Sequence, residues 1–155
     1  MPSDLPVCRR VSTREEMDAC FAIRDVVFLR EQNVDPAIER DGLDDQCIHY
    51  IAEIAGEPVA TARARMLGDK VKIERVAVLR TARGTGTGAA LMRFLMADLA
   101  AEARAAGRHF FLSSQCQAIP FYERLGFRVC SGEYLDADIP HRDMRAEIGE
   151  QQGQP

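Results

Sequence analysis

No apolar run in these 155 residues approaches the roughly 18 to 20 needed to span a bilayer. No charged-then-apolar leader is visible either, so neither a membrane span nor a secretory signal is expected, and a cytoplasmic location is. A basic excess is also missing. The 20 Lys and Arg against 24 Asp and Glu give a net charge of -4, and without a basic stripe nucleic acid is a poor partner. The five cysteines, Cys8, Cys20, Cys47, Cys116 and Cys130, are odd in number and form no C-x-x-C pair. Reduced thiols fit better than disulfides or zinc. Internal repeats and low-complexity segments are absent as well.

What is present suffices for one compact domain. Hydrophobic residues make up 46% of the chain, enough for a buried core, so residues 1–148 read as a single domain and 149–155 as a flexible tail. Ser12 or Thr13 can cap a first helix, with Glu15 and Glu16 in its first turn and an apolar stripe running on to about Glu31. The polar stretch 32–46 reads as a loop or short helix. Three strands follow at 49–55, 57–67 and 70–79, joined by Ala55-Gly56 and Gly68-Asp69 turns in an antiparallel meander. A second long helix ends at Gly107. The strand at 109–114 then pairs in parallel with the one at 70–79 through a crossover. A short helix at 118–125 and two strands, at 127–135 and 141–148, complete a mixed α/β fold.

Between the third strand and the second long helix lies Arg83-Gly84-Thr85-Gly86-Thr87-Gly88-Ala89. Glycines at alternate positions let an anion approach the main chain, and the N–H groups of the following helix start face it. The segment is a candidate pyrophosphate cradle. Two familiar phosphate loops are excluded: the P-loop's Lys-Ser or Lys-Thr is replaced by Ala89-Ala90, and the spacing G-x-G-x-G is not the dinucleotide fingerprint.

Arg83-x-x-Gly86-x-Gly88, followed by Phe121-Tyr122-Glu123-Arg124-Leu125-Gly126-Phe127, resembles the GNAT acyl-CoA-dependent N-acyltransferases over nearly the whole chain. The resemblance implies a mostly antiparallel sheet with one splayed parallel strand pair, flanked by helices. It also implies acetyl-CoA as co-substrate; separately, His49 and His141 show no ligand spacing for a metal, so none is expected. Val76, Ala77 and Val78 would offer main-chain groups to the pantetheine arm, Arg83 to Ala89 would take the pyrophosphate, and Gln115 stands where many members have an asparagine. Acetyl would pass to a primary amine by direct attack through a tetrahedral intermediate.

Within that frame Tyr122 is the candidate acid for the leaving thiolate and Glu74 the candidate base. Strand alternation would place Glu74 on one face with Val76 and Val78. A salt-bridged Glu74, with Lys72 or Arg75 nearby, is the alternative. Cys116 has no histidine at an informative spacing to support a covalent route.

The N-terminal third holds Arg24, Phe28 and Glu31, then Asp41, Asp44 and His49, and the chain later reads Ile139-Pro140-His141-Arg142-Asp143-Met144. Both ends are similar to the ElaA-type branch of the same family. Arg24, Phe28 and Glu31 share a helical face and could line a substrate wall with Asp41, Asp44, His49 and His141, an acidic setting suited to a cationic amine. Alternatively Arg24 pairs with Asp41 or Asp44 and pins the loop to the helix. The acceptor is then a small-molecule amine or a lysine side chain, and a homodimer is compatible with the sequence. The pattern also resembles acyl-homoserine-lactone synthases, and a catalytically silent acyl-CoA-binding regulatory module is the rival from another class.

Overall fold

A capping box opens the first helix: Thr13 Oγ1 accepts the Glu16 N–H, while the Glu16 carboxylate takes the N–H groups of Ser12 and Thr13. The structure, a computed structural model, describes residues 5–148. The expected tail, 149–155, lies outside the described residues. Helix α1, Arg14–Arg24, runs straight into a π-helical segment, Asp25–Glu31. The stretch after it holds helix α2, Pro36–Glu39, capped by the Asp35 side chain, and a 3-10 turn, Asp44–Gln46.

Among the described residues the sheet has eight strands. Strand β1, Val7–Arg10, lies at the edge beside β2, Ile48–Ile54, which continues antiparallel into β3, Glu57–Leu67, and β4, Lys70–Val78. A 19-residue helix α3, Thr87–Ala105, then carries the chain to β5, His109–Gln115, parallel to β4. Helix α4, Ile119–Arg124, leads to β6, Arg128–Val129, and β7, Tyr134–Asp136, both of which pair with β8, Ile139–Ala146. Strand β8 inserts between β5 and β6.

Three details differ from the sequence expectation. Strand β1 was not expected, because Val7-Cys8-Arg9-Arg10 has no apolar alternation. The expected strand at 127–135 is broken in two around Gly132. The last strand begins earlier than 141, at Ile139, and ends at Ala146.

Helix α3 buries Leu91, Met92, Leu95, Met96 and Leu99 against Ala62, Ala64, Val71, Ile73, Phe110 and Leu112. On the opposite face α1 and its π-helical extension bring Ile23 and Val27 against Ala77. Strand β3 is therefore covered on both sides, and its alanines, Ala60, Ala62 and Ala64, lie in the α3 core, where small side chains let that helix come close. Among the described residues no helix is long and apolar enough to cross a membrane.

Candidate active site

Strands β4 and β5 pair only from Lys70↔His109 to Ile73↔Leu112. Beyond Ile73 they part, β4 staying with β3 as far as Val78 and β5 staying with β8 as far as Gln115. The main-chain groups of Val76 to Val78 on that side have no β5 partner. A cleft of about 1020 Å³ opens at the divergence, lined among others by Glu74, Val76, Val78, Gly86, Gly88, Tyr122 and His141.

At one end of the cleft stands the glycine loop. Gly84 and Gly86 have φ of 77° and 86°, a left-handed backbone that glycine adopts without penalty. A Cβ at either would meet nothing within 4 Å, so both positions face open space. Gly88 is different. A Cβ there would stand 3.3 Å from Val78 Cγ2 and 3.4 Å from Phe121 Cζ, so this glycine lets α3 approach the strand. Ala90 is the first helical N–H to find a carbonyl, on Gly86 at 3.0 Å, and those of Gly86 through Ala89 find no acceptor among the described residues. A helix start with free donors and no side chains in the way fits a pyrophosphate. The hydroxyls of Thr85 and Thr87 bond to each other at 2.7 Å, and Thr87 is buried, so these two contribute backbone only. Arg83 turns its guanidinium to the Val78 carbonyl at 2.9 Å and to the Glu31 carboxylate.

Tyr122, on α4, is 8% exposed and lines the cleft. Phe121 and Phe127 hold its ring edge-on, and its hydroxyl has no hydrogen bond among the described residues. Burial pushes the phenol well above its ordinary pKa, so it stays protonated.

Glu74 does not share a face with Val76 and Val78, contrary to the alternation argument. Between Arg63↔Glu74 and Thr61↔Ala77, β4 carries one more residue than β3, and Arg75 takes a positive φ of 55°. This bulge reverses the alternation. Glu74 therefore faces the α1 side with Ala77, while Val76 and Val78 pack into the α3 core. Its carboxylate is held by Arg63 Nε at 3.1 Å, Arg65 Nε at 2.9 Å and Lys72 Nζ at 3.5 Å. Burial pushes the Glu74 carboxyl up, but Arg63 and Arg65 outweigh it and hold it below its ordinary pKa. That weakens it as a base.

The salt-bridged alternative is thus what the structure presents, with Arg63 and Arg65 as the principal partners. Arg75 instead reaches Glu39 and Asp41, at 3.2 and 3.3 Å.

The N-terminal constellation divides. Phe28, Glu31 and Asp41 line the cleft; Arg24, Asp44 and His49 do not. Arg24, 1% exposed, donates to Glu39 Oε1 and Asp44 Oδ1, both at 2.7 Å. Asp44 Oδ1 also accepts from Arg63 Nη1 at 2.8 Å, and Asp41 Oδ2 accepts from Arg63 Nη2 at 2.6 Å. His49 Nε2 donates to the Asp44 carbonyl at 2.8 Å, and burial lowers its pKa. These groups pin the segment between the π-helix and β2 onto the sheet. The acidic wall is consequently neutralised from behind by arginines. Arg63 and Glu39, both at most 1% exposed, escaped the sequence reading.

Gln115 spans the other end of the cleft, donating to Gln32 Oε1 at 2.8 Å, and His141 lies opposite it on β8. Among the described residues no group of His, Cys, Asp and Glu is placed to hold a metal ion.

The sequence matches the acetyltransferase (GNAT) domain family over residues 15–148. It is 40% identical over 131 residues to the uncharacterized N-acetyltransferase YjcF of Bacillus subtilis, covering 84% of this chain and 91% of that one. An acyl-CoA N-acyltransferase from Pseudomonas aeruginosa superposes with a TM-score of 0.76 at 32% identity, over 93% of this chain and 99% of that one. Escherichia coli ElaA superposes with a TM-score of 0.81 at 26% identity, over 92% and 100%. With agreement of this extent in both sequence and fold, the chain belongs to the GNAT family of acetyltransferases.

Proposed function

We propose that the protein transfers acetyl from acetyl-CoA to a primary amine, with Tyr122 as the acid that protonates the departing thiolate. The observation that carries this reading is the parting of β4 and β5 beyond Ile73, with the open start of α3 at its mouth. The free N–H groups of Gly86 to Ala89 suit a pyrophosphate, and the unpaired main chain of Val76 to Val78 suits the amide-bearing pantetheine arm. Bound there, acetyl-CoA supplies an activated thioester carbonyl. Arg83 is the one cation of the loop and would exchange Glu31 for phosphate. Tyr122 holds a proton that burial keeps in place until a thiolate accepts it. Phe28 and Ile38 give the acceptor side of the cleft an apolar wall.

The test is a panel of primary amines incubated with acetyl-CoA while free thiol is measured. Amine-dependent thiol release, with acetylated product identified by mass, supports the reading. Acetyl-CoA binding without turnover above hydrolysis on any amine overturns it in favour of a binding module.

A further inference from the structure

An ammonium acceptor must lose a proton before its nitrogen can attack, and the carboxylates around the cleft are poorly placed to take it. Glu74 is held by Arg63 and Arg65, Asp41 by Arg63 and Arg75, Glu39 by Arg24 and Arg75, and Glu31 by Arg83, while Asp143, outside the lining, accepts the Tyr134 hydroxyl at 2.6 Å. Asp136 is exposed and its carboxylate makes no hydrogen bond or ion pair among the described residues, so nothing there fixes it toward an acceptor. Cys116, at the end of β5, is directed to Glu133, and burial together with the Glu133 carboxylate pushes its thiol pKa up.

His141 differs from all of these. Its Nδ1 lies 2.7 Å from the Ile139 carbonyl oxygen, which can only accept, so in the neutral ring Nδ1 carries the proton and Nε2 the lone pair. The ring stacks on Tyr134, centroids 6.1 Å apart and planes 24° apart, and the Tyr134 hydroxyl is itself tied to Ser113 and Asp143. Nε2 has no partner among the described residues. Since no buried side-chain nitrogen or oxygen there is unpartnered, Nε2 is open to solvent, and His141 is one of the residues that line the cleft.

We propose that His141 Nε2 is the base that deprotonates the acceptor, an inference that rests on the amine-acetyltransferase reading above. The ammonium proton moves to Nε2, and the freed lone pair forms the bond to the acyl carbon. The carbon–sulfur bond breaks with its electrons on sulfur, which takes the Tyr122 proton. Tyr122 is reprotonated from the newly acylated nitrogen and His141 releases its proton to water, so one proton leaves per turnover.

The experiment is the pH profile of kcat/KM, from about pH 6 to 10, for an amine found in the panel, in wild type and His141→Gln, with acetyl-CoA affinity measured alongside. The variant is expected to lose about 10²-fold near pH 7. Its deficit should shrink at high pH, where the amine loses its proton unaided, while acetyl-CoA affinity stays at the wild-type value. Added imidazole should restore part of the rate in His141→Ala, which decides the matter if the Gln variant folds poorly. A variant profile parallel to wild type, no imidazole rescue, or the same loss in Asp136→Asn with His141 intact would overturn the assignment alone. A wild type inert on every amine would overturn the parent reading and this one together.

Discussion

Arg63 and Glu74 stand opposite one another in the β3–β4 register and form an ion pair on the α1 side of the sheet, Arg63 Nε lying 3.1 Å from Glu74 Oε2. The next residue, Arg75, begins the bulge, just past Ile73, where β4 last pairs with β5. One guanidinium thus links the strand that forms the slot to Asp41 and Asp44 in the segment that covers it. The pin and the cleft share a wall.

Arg63→Met should therefore leave three carboxylates facing one another without their shared cation. Breaking a buried pair from one side costs about 3–5 kcal/mol, and a urea titration should report a loss of that size. A loss under about 1 kcal/mol would mean that Arg24, Arg65 and Arg75 neutralise the site unaided. Glu74→Gln keeps an acceptor for Arg63, so its turnover should stay within about threefold of wild type; a loss near the 10²-fold typical of a missing base would return that role to Glu74.

Acid should weaken the same network. Arg63 is the main cause holding the Asp41 carboxyl below its ordinary pKa; for Asp44 and Glu74 burial pushes upward, but Arg24 and Arg63, and Arg63 and Arg65, prevail. A group whose pKa is depressed by folding stabilises fully above its unfolded value, about 4 for a carboxyl, and loses that contribution as pH falls toward the folded value. Melting temperature should accordingly fall steeply below about pH 4, and the slope should be shallower in Arg63→Met. Equal slopes would place the acid sensitivity elsewhere.

The order of elements, the antiparallel meander and the parallel crossover were legible because hydrophobic period, glycine turns and helix caps all agree along residues 49–125. The glycine loop was legible for the same reason: Gly84 and Gly86 sit at positive φ, where glycine is the residue chemistry favours. Arg75 has the same sign of φ without being glycine, so nothing local announces the bulge, and one extra residue is enough to put Glu74 on the other face. Arg63 was missed for a different reason. Arg63 and Arg65 in an alternating strand read as solvent-facing, and the Arg63 partners Asp41 and Asp44 are about 20 residues away in sequence. The flanking alanines, Ala60, Ala62 and Ala64, were the available signal, since they mark a strand packed closely on a helix.

The loop glycines should fail in two different ways. Gly86→Val places a β-branched side chain at φ 86° in the open mouth of the cradle, so acetyl-CoA affinity should fall at least about tenfold, on top of roughly 1–2 kcal/mol of backbone strain. Gly88→Ala has no strained φ but crowds Val78 Cγ2 and Phe121 Cζ, so its main effect should be about 1–3 kcal/mol of stability. Calorimetric titration with acetyl-CoA beside urea unfolding separates the two. Unchanged affinity in a folded Gly86→Val protein would refute the cradle.

Tyr122→Phe gives the sharpest test of chemistry because its structural cost should be small. The hydroxyl has no hydrogen bond among the described residues, and Phe keeps the edge-on contacts to Phe121 and Phe127, so stability should stay within about 0.5 kcal/mol. Acetyl-CoA affinity should be unchanged for the same reason. If the phenol protonates the thiolate, the chemical step in a single-turnover experiment should slow by about 10²-fold. Losing a proton donor should harm good leaving groups less, so an acyl donor bearing a more acidic thiol should recover much of the rate. A Tyr122→Phe protein as fast as wild type with acetyl-CoA would leave Tyr122 as packing, and the thiolate would then draw its proton from water entering the splay between β4 and β5.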